Sequence, residues 1–322
     1  MFGNLCDVPG VLVGHATDRE ALTGCTAVLF EDPDGAIVGV DVRGSSPGTR
    51  QTDRLGPTGT VRKTHALVLT GGSAFGLAAA EGVVRFVEES GGGLDIGAAR
   101  IPLVSAAVLF DLLVGDPAVR PGLEMGYEAA SSAGREDFAQ GSVGAGTGAT
   151  VGKVLGMERA MKGGVGSASA RLDGGLVVGA LAAVNAFGDV RDPNTGRVIA
   201  GPRQDDGTLG DTVELLPEAA ARMRWGENTT LGIVATNAHL TKGAANKVAQ
   251  MAHDGYARAI QPVHTTLDGD VAFAVSVGEV DAATDVVGAW GARVMQEAIL
   301  RAVRVARGVP RIPSLSEREG AG

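Results

Sequence analysis

One residue in six of this 322-residue chain is glycine, 50 in all, against a usual share of about 7%. This excess limits the fold more than any single motif. The glycines follow no period of three and prolines number only 13, so a collagen-type helix is excluded. Apolar residues make up 44% of the chain and aromatics only 4%, with Val, Ile, Leu and Ala dominant. Such a chain packs a core from small aliphatics, which excludes a disordered tail-like protein. It needs elements that approach closely and many tight turns. Strand-like and helix-like stretches alternate, which predicts an α/β fold in one domain spanning 1–322, with no separating linker.

Strands are expected at 11–13, 26–30, 37–42, 65–70, 176–184, 229–236 and 271–277. Helices are expected at 74–89, 215–223, 241–260 (with Thr241 as N-cap) and 284–307. Residues 102–113 fit either state, and 191–208 reads as a polar surface excursion.

Charge and cysteine content narrow the function classes. Lys and Arg total 28 against 37 acidic residues, a net charge of −9, and no basic patch is visible, so a nucleic-acid partner is not expected. Cys6 and Cys25 read as reduced thiols. No stretch is long enough to span a membrane, and the opening MFGNLCDVPG has no signal-peptide pattern. The expected setting is cytoplasmic. The five histidines form no HxH or HExxH pair, so no metal and no cofactor are expected, and each histidine reads as structural or surface. Residues 144–153 imitate a phosphate loop, but the required first glycine falls on Thr147 and Val154 follows the lysine. Gly71-Gly72-Ser73 at a helix start reads either as an anion or oxyanion cradle or as a plain helix start.

The chemistry concentrates at Asn228-Thr229-Thr230 and Asp268-Gly269-Asp270. A strand–helix–strand crossover between them makes the two strands parallel. If they are neighbours, Thr229 and both aspartates meet at one end of the sheet. A threonine hydroxyl needs a base, and cutting Asn228–Thr229 would create one, since an α-amine titrates at about 7.7–8.0. Spacing alone does not decide this, because Asn-Thr recurs at Asn194-Thr195, inside what reads as a turn. Lys153 alone reads as a solvated lysine beside a glycine-rich turn, and Asn185 as a strand-end residue.

Blocks in order along nearly the whole chain carry a resemblance. They are Asp7-Val8-Pro9-Gly10-Val11, Leu69-Thr70-Gly71-Gly72-Ser73-Ala74-Phe75-Gly76-Leu77, Gly144–Gly148 to Lys153, Val184-Asn185, Asn228-Thr229-Thr230 and His264–Asp270. The chain resembles the self-processing N-terminal-nucleophile peptidase family of the L-aminopeptidase/D-esterase, β-peptidyl aminopeptidase and 6-aminohexanoate-oligomer (nylon) hydrolase type. The resemblance implies a layered αββα sandwich of the aminopeptidase/ornithine acetyltransferase type. It implies cleavage into 1–228 and 229–322, with Thr229 as nucleophile and its own amine as base. Asp268 and Asp270 would orient that amine, Lys153 would act on the hydroxyl, and Asn185 would face the oxyanion. Gly71, Gly72, Ser73 and Phe110 would lie in the substrate vicinity. The implied partners are a small linear amide or oligomer substrate and further copies of the chain in a homotetramer. Asn-Thr at the scissile bond, in place of the Gly-Ser of many aminopeptidases, leans toward the nylon-hydrolase type. Phe110, where that type carries a tyrosine, departs from it. The alternatives are an aminopeptidase acting on L-, D- or β-amino-acid amides and an acyltransferase.

Overall fold

The structure, a computed structural model, describes residues 3–219 and 228–319. Its strands are β1 (Val11–Asp18), β2 (Thr23–Phe30), β3 (Ala36–Val42), β4 (Gly48–Arg50), β5 (Lys63–Thr64), β6 (Ala66–Thr70), β7 (Val104–Val108), β8 (Gly164–Arg171), β9 (Val177–Asn185), β10 (Thr229–Ala238) and β11 (Val271–Val280), together with short pairs at the periphery. The helices are α1 (Ala79–Glu89), α2 (Leu123–Ser131), α3 (Thr212–Ala219), α4 (Lys242–Ala259) and α5 (Thr284–Arg304). Two mixed sheets result, β1-β2-β6-β7-β4 and β8-β9-β10-β11-β3-β5.

Alternation along the strands sorts side chains into three apolar layers. Val28 and Phe30 of β2 meet Leu231, Ile233 and Phe273 of β10 and β11 between the sheets. Ala27 and Leu29 face α1 and α2. Val234, Ala272 and Ala274 face α4 and α5. The order helix layer, sheet, sheet, helix layer is the αββα sandwich the resemblance implies.

Close approach explains much of the glycine. A Cβ on Gly82 of α1 would overlap the Leu123 carbonyl at the start of α2, and one on Gly126 of α2 would overlap the Ala79 carbonyl of α1. The two helices therefore cross backbone to backbone. In β8, a Cβ on Gly166 would strike the backbone of Ala298 and Ala302 in α5.

Several expectations change. Within 102–113, Val104–Val108 resolves as the strand β7. The helix expected at 74–89 starts as a 3-10 turn, Ser73–Ala78, before α1. β8 and α2 were not expected: GVGSASAR has one bulky apolar residue, Val165, and its pairing with β9 and cover by α5 make it a strand. The excursion 191–208 contains Val198–Ala200, which pairs with Asp189–Arg191 in a three-stranded sheet. The helix expected from 215 begins at Thr212; residues 220–227, including the rest of that expected helix and the polar bridge before Asn228, lie outside the described residues. Thr241 caps α4 as expected, its hydroxyl oxygen accepting Ala244 N–H. Among the described residues no helix is long and apolar enough to cross a membrane.

The topology places the site. β10 and β11 are parallel neighbours, Leu231 opposite Val271, with α4 as the crossover. β9 runs antiparallel on the other side of β10 and ends with Asn185 opposite Thr229. The stretch from Thr229 onward supplies two strands of the six-stranded sheet, between β9 and β3 of the earlier stretch.

Candidate active site

Thr229 opens β10 and is buried, only 4% exposed. Its hydroxyl donates to the Asn228 carbonyl directly before it. That carbonyl also accepts the Gly269 N–H at 2.9 Å. A Cβ on Gly269 would come within 2.8 Å of Thr229 Oγ1 and closer still to the Ser46 backbone. Glycine at this position is required by close approach rather than by a turn.

On the other side, Lys153 Nζ donates to the Asn185 carbonyl at 3.0 Å and to Asn185 Oδ1 at 2.9 Å. Thr150 N–H also reaches Oδ1, at 3.0 Å. A lysine only donates, so this set fixes the amide's orientation, and Nδ2 donates to the Phe110 carbonyl at 2.9 Å. Lys153 and Asn185 are both buried. The β9–β10 register therefore joins lysine, asparagine and threonine, which lie 32 and 44 positions apart in the chain.

The aspartates close the third side. Asn228 bridges Asp268 in parallel sense. Asp268 Oδ1 accepts Phe187 N–H at 3.2 Å, and Oδ2 accepts Thr265 N–H at 3.2 Å together with its hydroxyl. Asp270 Oδ1 accepts Thr230 N–H at 2.6 Å. Both carboxylates are about 1% exposed. A cavity of about 630 Å³ opens beside them, with Lys153, Asn228, Phe187 and Leu267 among its lining and Glu158 and Glu218 exposed at its rim.

With this geometry in place, relatives become informative. The chain matches the family described as peptidase family S58 over residues 3–313. It is a member of that family. An uncharacterized aminopeptidase of Mycobacterium tuberculosis is 42% identical over 296 residues, covering 87% of this chain and 83% of the relative. A 6-aminohexanoate-oligomer endohydrolase of Kocuria sp. is 32% identical over 317 residues, covering 92% of this chain and 85% of the relative. The L-aminopeptidase D-Ala-esterase/amidase of Ochrobactrum anthropi superposes with a TM-score of 0.72 at 18% identity, covering 99% of this chain and 92% of that one; it is described as a variant of the Ntn hydrolase fold. This S58 chain has that fold and is a hydrolase of amide bonds.

The electrostatics of the S58 site are uneven. Burial, and then the neighbouring Asp270, push the Asp268 carboxyl up to about 7, within reach of a proton exchange at neutral pH. Lys162 is fully buried and its ammonium donates to the carbonyls of Gly146 (3.0 Å), Ala149 (2.8 Å) and Gly163 (3.3 Å). Burial pushes it down to about 7. It thereby holds the glycine-rich bend that delivers Thr150 to Asn185. Sequence reasoning passed over Lys162, although a lysine between Ala160-Met161 and Gly163-Gly164, in a chain with only five lysines, was a usable signal.

The structure narrows two readings. Gly71, Gly72 and Ser73 do not form an open anion cradle: their N–H groups donate to the carbonyl of Gly24 (2.9 Å), Asp111 Oδ1 (2.7 Å) and the carbonyl of Leu109 (3.0 Å). They brace the segment around Phe110, and it is the Phe110 backbone that reaches Asn185. His264, read with the other histidines as structural or surface, is partly buried, and its Nδ1 lies 2.8 Å from Asp270 Oδ2.

Proposed function

We propose that this S58 hydrolase is a self-cleaving N-terminal threonine amidohydrolase acting on short linear amides. The observation that carries the reading is the buried Asn228–Thr229 junction. There the threonine hydroxyl lies against its own preceding carbonyl, and Gly269 N–H is already bonded to that oxygen. Attack of Oγ1 on the Asn228 carbonyl carbon forms an ester and frees the Thr229 amine. Water then hydrolyses the ester, leaving a carboxylate on Asn228 and a chain that starts at Thr229. The pieces 1–228 and 229–322 stay together because β10 and β11 are held between β9 and β3.

In the mature site the Thr229 amine takes the hydroxyl proton as Oγ1 attacks a substrate carbonyl. Lys153 favours the developing alkoxide by its charge, and Asn185 serves the oxyanion. Asp268 and Asp270 hold the amine. The amine leaving group departs, and water releases the acid from Thr229. The 6-aminohexanoate oligomers cleaved by the Kocuria relative are one substrate class to test. A second reading, hydrolysis from a free amino end, is favoured by Glu158 and Glu218 at the cavity rim, where they would attract an ammonium group.

Intact mass on wild type beside Thr229→Ala tests the core of the proposal. Two fragments meeting at Asn228/Thr229 in wild type and one chain in the variant are expected. An uncleaved, stable wild type would sink it. Amino-acid p-nitroanilides against 6-aminohexanoate oligomers sort the substrates, and added hydroxylamine reports any acyl transfer. Light scattering checks the homotetramer implied by the family resemblance.

A further inference from the structure

Behind Asp270 lies a buried aromatic cluster to which the cleavage chemistry assigns no task. His264 N–H (3.1 Å) and ring Nδ1 (2.8 Å) both reach Asp270 Oδ2. A carboxylate oxygen accepts, so Nδ1 carries the hydrogen. The ring is gripped from α4. The His253 ring stands edge-on at 4.5 Å and the Tyr256 ring lies 5.7 Å away. Tyr256 in turn donates to the Val271 carbonyl at 2.8 Å, and His253 Nε2 faces the Asp41 carbonyl at 3.1 Å.

Two local costs meet at His264. Its φ is +56°, a left-handed backbone uncommon outside glycine. Its Nε2, like His253 Nδ1, is buried with no hydrogen-bond partner among the described residues, which is unfavourable. Both costs have one outcome in common, the placement of Nδ1–H on Asp270.

We propose that His264 is a positioning residue: through Nδ1–H it fixes Asp270, whose other oxygen holds Thr230 N–H and so sets the start of β10 at Thr229. The inference rests on the reading of Thr229 as nucleophile. The groups facing the carboxylate pair are His264 on the same loop, His253 and Tyr256 from α4, and Asp41 from β3, itself paired with Arg43 at 2.6 Å. Burial first, then the charge of His264, push His253 down to about 4, so it remains neutral behind the pair at neutral pH. Removing the Nδ1 donor leaves the Asp270 charge less compensated, so Asp268, already pushed up to about 7 by burial and then by Asp270, holds its proton to higher pH.

The test compares His264→Asn with His264→Gln in the full chain. Asparagine tolerates a left-handed backbone and offers an amide hydrogen near the Nδ1 position; glutamine carries it one bond too far. The readouts are the fraction of chain cleaved at Asn228–Thr229 and the pH profiles of kcat and KM on the amino-acid p-nitroanilide that wild type hydrolyses fastest. For His264→Asn, kcat within about three-fold of wild type and an unmoved acid limb are expected. For His264→Gln, kcat falls about 10²-fold with KM nearly constant, and the acid limb moves up by about one pH unit. A folded His264→Asn that loses as much as His264→Gln, or a His264→Gln with wild-type kcat and limb, overturns the inference. If His264→Gln does not fold, the His264→Asn result decides alone. Failure of the underlying reading is seen separately, as a wild type that stays uncleaved or a Thr229→Ala variant that remains active, and takes this inference with it.

Discussion

The dipeptide Asn-Thr occurs twice, and the two copies live in opposite surroundings. Asn194-Thr195 sits exposed in a turn, with Asn194 N–H on Asp192 Oδ1 at 2.8 Å and Gly196 (φ +71°) closing it. Asn228-Thr229 is buried where β9, β10 and the Asp268–Asp270 loop converge. One hydroxyl faces water, which competes for every hydrogen bond. The other is buried against the Asn228 carbonyl, which also accepts the Gly269 N–H, and the carboxylates of Asp268 and Asp270 are buried on the adjoining loop, in a medium where electrostatic effects are strong. Local sequence is shared, so the reactivity proposed for Thr229 comes from what the fold brings to it.

The largest effect expected is the sharpest break between the copies. Thr229→Ala should abolish both cleavage and amide hydrolysis, whereas Thr195→Ala should leave both unchanged, as read by intact mass and initial rates. Next, Asn185→Ala should lower kcat by about 10²–10³-fold, while Asn194→Ala leaves it at the wild-type value; an Asn185→Ala variant at full rate would remove asparagine from the proposed machinery.

The glycines beside the two threonines should part as well. Gly269→Ala pushes a methyl onto Thr229 Oγ1 and should slow self-cleavage about 10²-fold, seen as precursor accumulating on a gel. A Cβ on Gly196 meets nothing within 4 Å, so Gly196→Ala should cost only about 1–2 kcal/mol of stability from its left-handed backbone, with activity intact.

The last prediction concerns charge. The folded chain raises Asp268 from 3.8 to about 7, so between those values the native state keeps a proton that the unfolded state releases. Its contribution to stability is therefore lost as pH rises from about 4 to about 7, and is level above that. Comparing uncleaved Thr229→Ala with Thr229→Ala/Asp268→Asn by thermal melts, the double variant should gain relative stability over that window. The gain should be on the order of a few kcal/mol, and equal pH dependence in both would contradict it.

Legibility in the sequence followed hydrophobic contrast. β10, β11, α4 and α5 stand out because their apolar residues repeat at the period of a strand or helix, and Thr241 is a strong cap. The approach of the Thr229 end of β10 to the Asp268–Asp270 loop could be reasoned from one crossover, since parallel strands joined by a helix share their starting edge. β8 escaped because glycine, serine and alanine carry little periodic signal; it is a strand only because β9 and α5 make it one. The choice between a cradle and a plain helix start at Gly71–Ser73 was open in the sequence because a sequence does not tell where N–H groups are spent.

From the sequence alone came the glycine-rich small-residue core, the alternating elements, the family resemblance and the pairing of Thr229 with two carboxylates, all of which depend on local pattern or on a single short connection. Only the tertiary structure brought Lys153 to Asn185, Gly269 to the scissile carbonyl, Lys162 to its three carbonyls and His264 to Asp270. Those contacts depend on register, backbone conformation and burial, which are set when distant segments pack against each other and exclude water.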